Sequence, residues 1–474
     1  MPHNDSNHFI PVSEIAVADP DLRSAVASAT LTGYNKRLAA LFAEGQDHGE
    51  NLRQAAAVAK RRALHDLPAL LEQAEANMQA NGMHVLWARD SDEANRLVLD
   101  IARRHDVKRV AKGKSMVSEE IDFNHVMEAA GLEVVETDLG EFIIQLNEEI
   151  PSHIVLPIIH KTKAQIREIL QRELDMPYTD DAAAMTAYVR HYMREKFLSA
   201  DMGISGGNFI LAETGTLCLV CNEGNGRLCT TLPRVHVALV GIEKVVATLE
   251  DYALLTQILP RSATGQNLTV YTNLIHGPRR SPDEIGPEEV YVILVDNGRS
   301  DIYASAYAEV LTCIRCGACQ NACPVYRSTG GQAYGWVYGG PIGAVLTPLL
   351  TGLENAKPLP HASSLCGACK QVCPVDIDLP RMLLDLRHDL VQAGLSGPQW
   401  SVGIKGWEIA NSAPRLFELS GGVVRWASQA LLGDHLPPPL SGWTRHRDFP
   451  PFAPKPFRQL WRERQAQNGD SAHG

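Results

Sequence analysis

The stretch Cys313-Ile-Arg-Cys316-Gly-Ala-Cys319-Gln-Asn-Ala-Cys323-Pro324 decides how the rest of the chain is read. Its spacing is C-x2-C-x2-C-x3-C-P, an iron–sulfur run. Three thiolates at three-residue intervals wrap three corners of one cubane. The small Gly317 and Ala318 let backbone N–H groups approach the sulfides. The fourth cysteine points away, and in two-cluster proteins it ligates the other cluster. A second copy follows at Cys366-Gly-Ala-Cys369-Lys-Gln-Val-Cys373-Pro374. Laid slot on slot, its four positions are 363, 366, 369 and 373, and the first holds Ser363. Crossed ligation then predicts Cys313, Cys316, Cys319 and Cys373 on cluster one, and Cys323, Cys366 and Cys369 on cluster two. Cluster one is expected to be [4Fe–4S]. Cluster two, one thiolate short, is [3Fe–4S], or [4Fe–4S] with Ser363, His361, water or another subunit on the fourth iron, or a cluster with an open iron. Spacing leaves these open. Zinc also takes C-x2-C pairs, but it has no use for this run occurring nearly twice. Two clusters sharing crossed ligands sit close enough for electron hopping, so the segment reads as a conduit.

Outward from this motif, the ten cysteines of the 474 residues are unevenly placed. Seven lie between Cys313 and Cys373, and Cys218, Cys221 and Cys229 share one short stretch. Such clustering points to inorganic ligands in a reducing compartment, not to a disulfide scaffold. A net charge of −11 excludes a non-specific nucleic-acid binder, which needs a basic face. The first twenty residues lack a basic segment followed by an apolar one, so they do not read as a signal peptide. No run approaches the roughly 18 apolar residues of a membrane-spanning helix. The expectation is a cytoplasmic protein, with peripheral attachment to the inner membrane through partners left open.

Hydrophobic periodicity predicts a long helix over 52–81, then alternation. Strands are expected at 84–88, 109–111, 132–136 and 153–156, with helices at 91–104, 115–129 and about 163–173. Strand–helix alternation with short connections implies a mostly parallel α/β sheet. Further strands are expected at 208–212, 216–221, 227–231, 236–240, 268–272 and 290–295. The stretch 216–231 reads as a hairpin about Glu223-Gly-Asn-Gly226. A helix at 301–311 leads into the cysteines. The domains expected are an N-terminal arm (1–50), an α/β domain (51–299), an α-helical dicluster ferredoxin-type domain (300–385) and a small, mostly helical C-terminal domain (386–474) with a disordered end. That last part carries a formal +3 against −14 for the rest, and five of the seven tryptophans: Trp400, Trp407, Trp426, Trp443 and Trp461. Packing onto the body is the expectation for them, a partner face the alternative.

Cys218 and Cys221 lie three apart on an expected strand and so face opposite sides. With Cys229 they read as small core residues. Lys112-Gly-Lys114-Ser115 joins a strand to a helix, and its lysines suggest an anion site, joined by Glu213-Thr214-Gly215. Its spacing is not that of a Walker A loop. Lys161 and Lys163 are further candidates. No catalytic base is assigned; Glu213 and Glu223 stand only on their positions in polar turns.

Several stretches together resemble the lactate utilisation protein B family. They are Gly113–Met116 with Glu119-Glu120, Pro151–His153 with His160–Lys163, and Ser205–Phe209 with Ala212–Thr216. Asn222–Arg227, Asp296–Arg299, Cys313–Arg327, Gly340–Leu346 and Ser363–Pro374 complete the set. The resemblance implies an α/β (LUD) domain folded like glucosamine-6-phosphate deaminase, ribose-5-phosphate isomerase and CoA transferases. It also implies an iron–sulfur electron-transfer subunit of an L-lactate oxidation system. Its partners would be a cysteine-rich subunit and a second, smaller LUD-type subunit, with the electron acceptor unknown. Two other readings remain: the iron–sulfur subunit of another quinone- or heterodisulfide-linked dehydrogenase, for glycolate or glycerol 3-phosphate, and an isomerase or CoA-transferase-like enzyme with a cluster as redox sensor. The three extra cysteines depart from the family's pattern.

Overall fold

A computed structural model describes residues 4–430, 436, 440–445, 447–448, 450 and 452–470. The chain divides into two compact units, Met1–Ala393 and Gly394–Gly474.

Ten strands are found among the described residues: β1 (His84–Ala88), β2 (Arg109–Lys112), β3 (Glu133–Glu136), β4 (Met202–Ser205), β5 (Phe209–Leu211), β6 (Thr216–Cys221), β7 (Val235–Gly241), β8 (Val245–Val246), β9 (Tyr271–Ile275) and β10 (Glu289–Val295). Six form an all-parallel sheet in the order β1-β10-β7-β4-β2-β3. β7 lies at its middle and every residue of it is buried, as a strand covered on both faces requires. The other four form a mixed sheet, β8-β5-β6-β9. Alternate residues of β7 and β10 serve separate cores on the two faces of the parallel sheet. Val237, Leu239 and Ile293 pack on one face, and Ala238, Val240 and Val292 on the other.

Several expected elements differ. The 52–81 helix is two, Gln46–His65 and Leu67–Ala80, parted where Pro68 withholds a backbone donor. The 115–129 helix is also two, Met116–Glu120 and Phe123–Ala129, divided by Asp122 in the left-handed region (φ 56°). No strand forms at 153–156. The ring nitrogen Nδ1 of His153 accepts from the N–H groups of both Val155 and Leu156 at 3.0 Å, which takes those donors from any ladder. Residues 225–231 are a helix, not a strand, so the hairpin about 223–226 is absent. β6 pairs instead with β5 before it and β9 after it. The strand expected at 268–272 is β9, displaced toward the C-terminus, and the 301–311 helix is Arg299–Tyr303 followed by a 3-10 turn, Ala308–Thr312. β4 and the helix Ala182–Ser199 were not read from sequence, nor was Gly340–Thr351 inside the Gly/Pro-rich stretch.

The first fifty residues are an integral layer. The helix Pro20–Leu41 buries Val26 and Leu41 against the cysteine segment and shares one core with it, together with Phe209, Leu211 and Cys218. The cysteine segment therefore has no separate core.

In the second unit, the helices Pro398–Asn411 and Pro414–Ala430 leave Trp407 and Trp426 exposed, and Trp461 on the helix Phe457–Asp470 is exposed too. Their own unit leaves these three exposed, because a small helical unit has too little second layer to cover them. The side chains of Trp400 and Trp443 lie outside the described residues. The end expected to be disordered is helical as far as Asp470, and residues 471–474 lie outside the described ones.

Candidate metal centre and adjoining cavity

The two cysteine copies share one local geometry. Arg315 and Leu365 both take positive φ, 58° and 54°, and so do Gly317 and Gly367, 72° and 81°. Each glycine opens a five-residue helix, Ala318–Ala322 or Ala368–Val372, and the helices pack together. A left-handed residue between the first two slots turns the chain so that successive side chains converge. Cys313, Cys316, Cys319 and Cys373 line one small cavity, with Ile314, Ile342 and Val375 around it. These four thiols lie within electrostatic range of one another, and Cys323, Cys366 and Cys369 form a second such set. Cys319 also feels Cys369, so the two sets adjoin.

This donor set fits an iron–sulfur cluster. Burial pushes the thiols of Cys316 and Cys369 up to about 12 and that of Cys373 up to about 11. Buried thiols of that kind become thiolates only beside a compensating cation, which bound iron supplies. Backbone N–H groups already point at sulfur: Arg315 N–H to Cys313 Sγ at 3.4 Å and Ile377 N–H to Cys373 Sγ at 3.3 Å. No three His, Cys, Asp or Glu side chains among the described residues are spaced for a single metal ion. Zn–S bonds of about 2.3 Å would bring thiolates to about 3.8 Å, closer than the corners of a cubane. Arg37 and Arg53 donate to the carbonyls of Val372 and Cys373 at 2.7 and 2.9 Å, which ties the N-terminal helices to the second copy.

A buried ion network joins the first copy to the α/β layer. Arg299 donates to both oxygens of Glu120 at 2.8 and 2.9 Å and to Glu243 at 2.6 Å. Arg315 reaches the other Glu243 oxygen at 3.4 Å, and the Tyr338 hydroxyl donates to Glu120. Burial pushes the Glu243 carboxyl up, but Arg299, Lys244 and Arg315 outweigh it and hold it at about 2. Beside the network lies a cavity of about 330 Å³. It is floored by Gly113–Val117 and Ser205–Asn208, walled by apolar residues including Ile154, Leu219, Leu259 and Ile314, and bordered by Lys244 and Arg315. Burial, with Arg315 nearby, pushes the Lys244 ammonium down to about 8.

Known proteins match this chain over nearly all of it. It is 42% identical to "Uncharacterized electron transport protein YkgF" of Escherichia coli over 456 residues, 95% of each chain. It is 41% identical to "Lactate utilization protein B" of Bacillus velezensis over 458 residues, again 95% of each. The chain belongs to the lactate utilisation protein B family. Residues 71–295 match the LUD domain, 309–377 the 4Fe-4S dicluster domain, and 399–466 the lactate utilisation protein B C-terminal family. A solved DUF162 family protein from Deinococcus radiodurans aligns with 48% of this chain and 98% of its own at 13% identity, with a TM-score of 0.28, too low to bear on the fold.

In this family member the residues suggested for an anion site are not brought together. Lys114 and Ser115 line the cavity. Lys112 does not: it is wholly buried, and its ammonium donates to Glu119 at 2.8 Å and Glu136 at 2.5 Å. Glu213 caps the helix Leu249–Ala263 through the N–H of Leu249. The carbonyls of Thr214 and Gly215 take the Asn81 amide, so the three sit by the end of another helix, away from the lining. Lys161 pairs with Glu149, and Lys163 donates to the carbonyl of Asp180. Glu223 lines the cavity but accepts from the N–H of Leu139. Of the extra cysteines, Cys218 and Cys229 are fully buried, while Cys221 lines the cavity. Cys229 lies on a helix and contacts the Thr137 hydroxyl. Sequence reasoning missed Lys244, Glu243 and Tyr338. Arg299 and Glu120 were visible only as family-like motifs, with no signal that they meet.

Proposed function

We propose that this chain is the iron–sulfur electron-transfer subunit of a multi-subunit system that oxidises L-lactate to pyruvate. The convergence of four thiols on one buried cavity, in a member of the lactate utilisation protein B family, carries the reading. Cys313, Cys316, Cys319 and Cys373 would hold a [4Fe–4S] cluster, and Cys323, Cys366 and Cys369 a second cluster, [4Fe–4S] or [3Fe–4S]. Bound there, the clusters supply one-electron redox chemistry. The protein's part is to space the ligands, exclude water and aim backbone N–H groups at sulfur. Of the seven cysteines Cys366 is the exposed one, the others being buried or half-buried, so the second site would meet an outside donor or acceptor at that ligand. The α/β layer is assigned to the deaminase, isomerase and CoA-transferase-like class. The partners are a cysteine-rich subunit and a second LUD-type subunit, and the exposed Trp407 and Trp426 offer them a docking face.

Growth on L-lactate tests the assignment. Strains carrying Cys316→Ser or Cys369→Ser are expected to lose it while growing normally on pyruvate. Unimpaired growth with the variant protein present at wild-type level would sink the lactate role.

A further inference from the structure

Three buried cations near the first set of thiols have no carboxylate of their own. Arg37 and Lys60 are each 3% exposed and Lys244 8%, and none of them forms an ion pair among the described residues. Arg37 comes from the helix Pro20–Leu41 and Lys60 from the helix Gln46–His65. Arg37 donates to the carbonyl of Val372, next to Cys373, and leaves its Nε without a partner. It lies in electrostatic range of Cys316 and Cys373. Lys60 donates to the carbonyl of Glu243 at 2.9 Å, which brings it near Lys244. Burial first, and then neighbouring cations, push both ammonium groups down to about 8, while Glu243 and the Cys313 thiol pull the other way. Glu120 and Glu243 are already held by Arg299 and Arg315, so two carboxylates stand against four cations. Lys114, on the same cavity, takes no part, because Glu141 answers it at 3.1 Å. Cations so deeply buried are costly unless something negative stands near them. A cluster held by four thiolates is negative, and each electron it takes up makes it more so.

We propose that Arg37, Lys60 and Lys244 are the counter-charges of the first cluster and raise its midpoint potential, so that this site holds an electron more firmly than its four thiolates alone would allow. The proposal rests on the iron–sulfur reading above. None of the three is a ligand. Each acts through its charge, in an interior where charge acts more strongly than in water. Reduction adds one electron to the cluster, supplied by the oxidation the system carries out, and no bond forms or breaks at these side chains. Arg327, half-buried and near Cys323, belongs to the second set and lies outside this group.

The test is an anaerobic potentiometric titration of the full-length, cluster-loaded protein, read by EPR, with iron content measured on every sample. Lys60→Met and Lys244→Met remove charge with little change of length. Each is expected to lower the first cluster's midpoint potential, shifting its reduction equilibrium about tenfold, ~59 mV for one electron, and to move the second cluster's less. Lys244→Arg keeps the charge, has the adjoining cavity to extend into, and is expected to hold the wild-type potential. The shifts are expected to persist in ~1 M salt, which screens exposed charges far more than buried ones. Wild-type potentials in both methionine variants overturn the proposal. So do equal shifts of the two clusters, or a shift in Lys244→Arg as large as in Lys244→Met. Should one methionine variant lose its iron, the other decides; loss of both clusters in both variants overturns the proposal, since charge acting at the first site spares the second. If both clusters are present and neither potential moves, the counter-charge proposal falls and the electron-transfer reading stands, whereas a wild-type protein that takes up no iron sinks both.

Discussion

Leu365 N–H donates to Ser363 Oγ at 3.1 Å, just as Arg315 N–H donates to Cys313 Sγ at 3.4 Å. With matching φ values at 315 and 365, this puts Ser363 where a thiolate would stand in a complete second copy. Ser363→Cys is therefore expected to complete the second ligand set without moving the backbone. If the wild-type second cluster is [3Fe–4S], its oxidised EPR signal should vanish in this variant while iron rises by about one per chain. An unchanged spectrum and iron content would show that slot 363 does not face the cluster. By the same logic, Cys316→Ser and Cys369→Ser should each remove a different cluster signal. Iron analysis with EPR reads this directly, and loss of the same signal in both variants would contradict crossed ligation.

At the scale of elements, the molecule depends on close approaches and on one buried ion network. A Cβ at Gly331 would stand 1.7 Å from the carbonyl oxygen of Ser152, where the cysteine segment crosses the loop before His153. Gly331→Ala must push two backbones apart and is expected to cost about 3 kcal/mol by denaturant unfolding. Gly367 has open space around it but a φ of 81°, so Gly367→Ala should cost only about 1 kcal/mol, from backbone strain. Glu243→Gln leaves Arg299 and Arg315 buried with Glu120 as their remaining carboxylate in the network. Breaking such a network is expected to cost about 3–5 kcal/mol and to weaken the first cluster's signal before the second's, because Arg315 belongs to the first loop. Equal loss of both signals would argue that the network serves general stability only.

For the whole molecule, acid is the expected weakness. His236 is wholly buried at the centre of the parallel sheet, and burial pushes its imidazole from 6.5 down to about 4. Between those values the unfolded chain binds a proton that the folded chain refuses, so stability falls as pH falls through this window, by roughly 3 kcal/mol at most. Glu243, held at about 2, adds a second loss as pH drops below its ordinary value of 4.5. Unfolding midpoints measured anaerobically from pH 7.5 to 5.5 should therefore decline, and His236→Asn should flatten the decline. A steeper decline in the variant would assign the effect elsewhere. The same scale orders three features: a cavity, the set of Cys313, Cys316, Cys319 and Cys373 near it, and an adjoining set that includes the exposed Cys366.

How much of this was legible before folding depends on how local each signal is. The strands expected at 84–88, 109–111 and 290–295 stood out because apolar runs between turns are read within a few residues, and each forms to within one residue of those bounds. The helix at 225–231 did not, because Thr230 and Thr231 favour strands and the packing of the segment against β4 and β6 overrode that preference. Lys112 and Lys244 show the same limit at the site. The first sits in an anion-like motif yet is spent on two carboxylates, and the second sits in no motif yet lines the cavity.

Sequence alone determined the grouping of seven cysteines into two interlocked copies, because such ligand sets are written in spacings of two and three residues. It also determined the alternating α/β character of the first half, because pleat and helix periods are local. Only the tertiary structure decided that residues near 115, 206, 244 and 315 border one cavity. Those segments are separated by tens of residues, and what brings them together is sheet order, with β4 between β2 and β7. That order is set by which apolar faces pack, not by any motif in the chain.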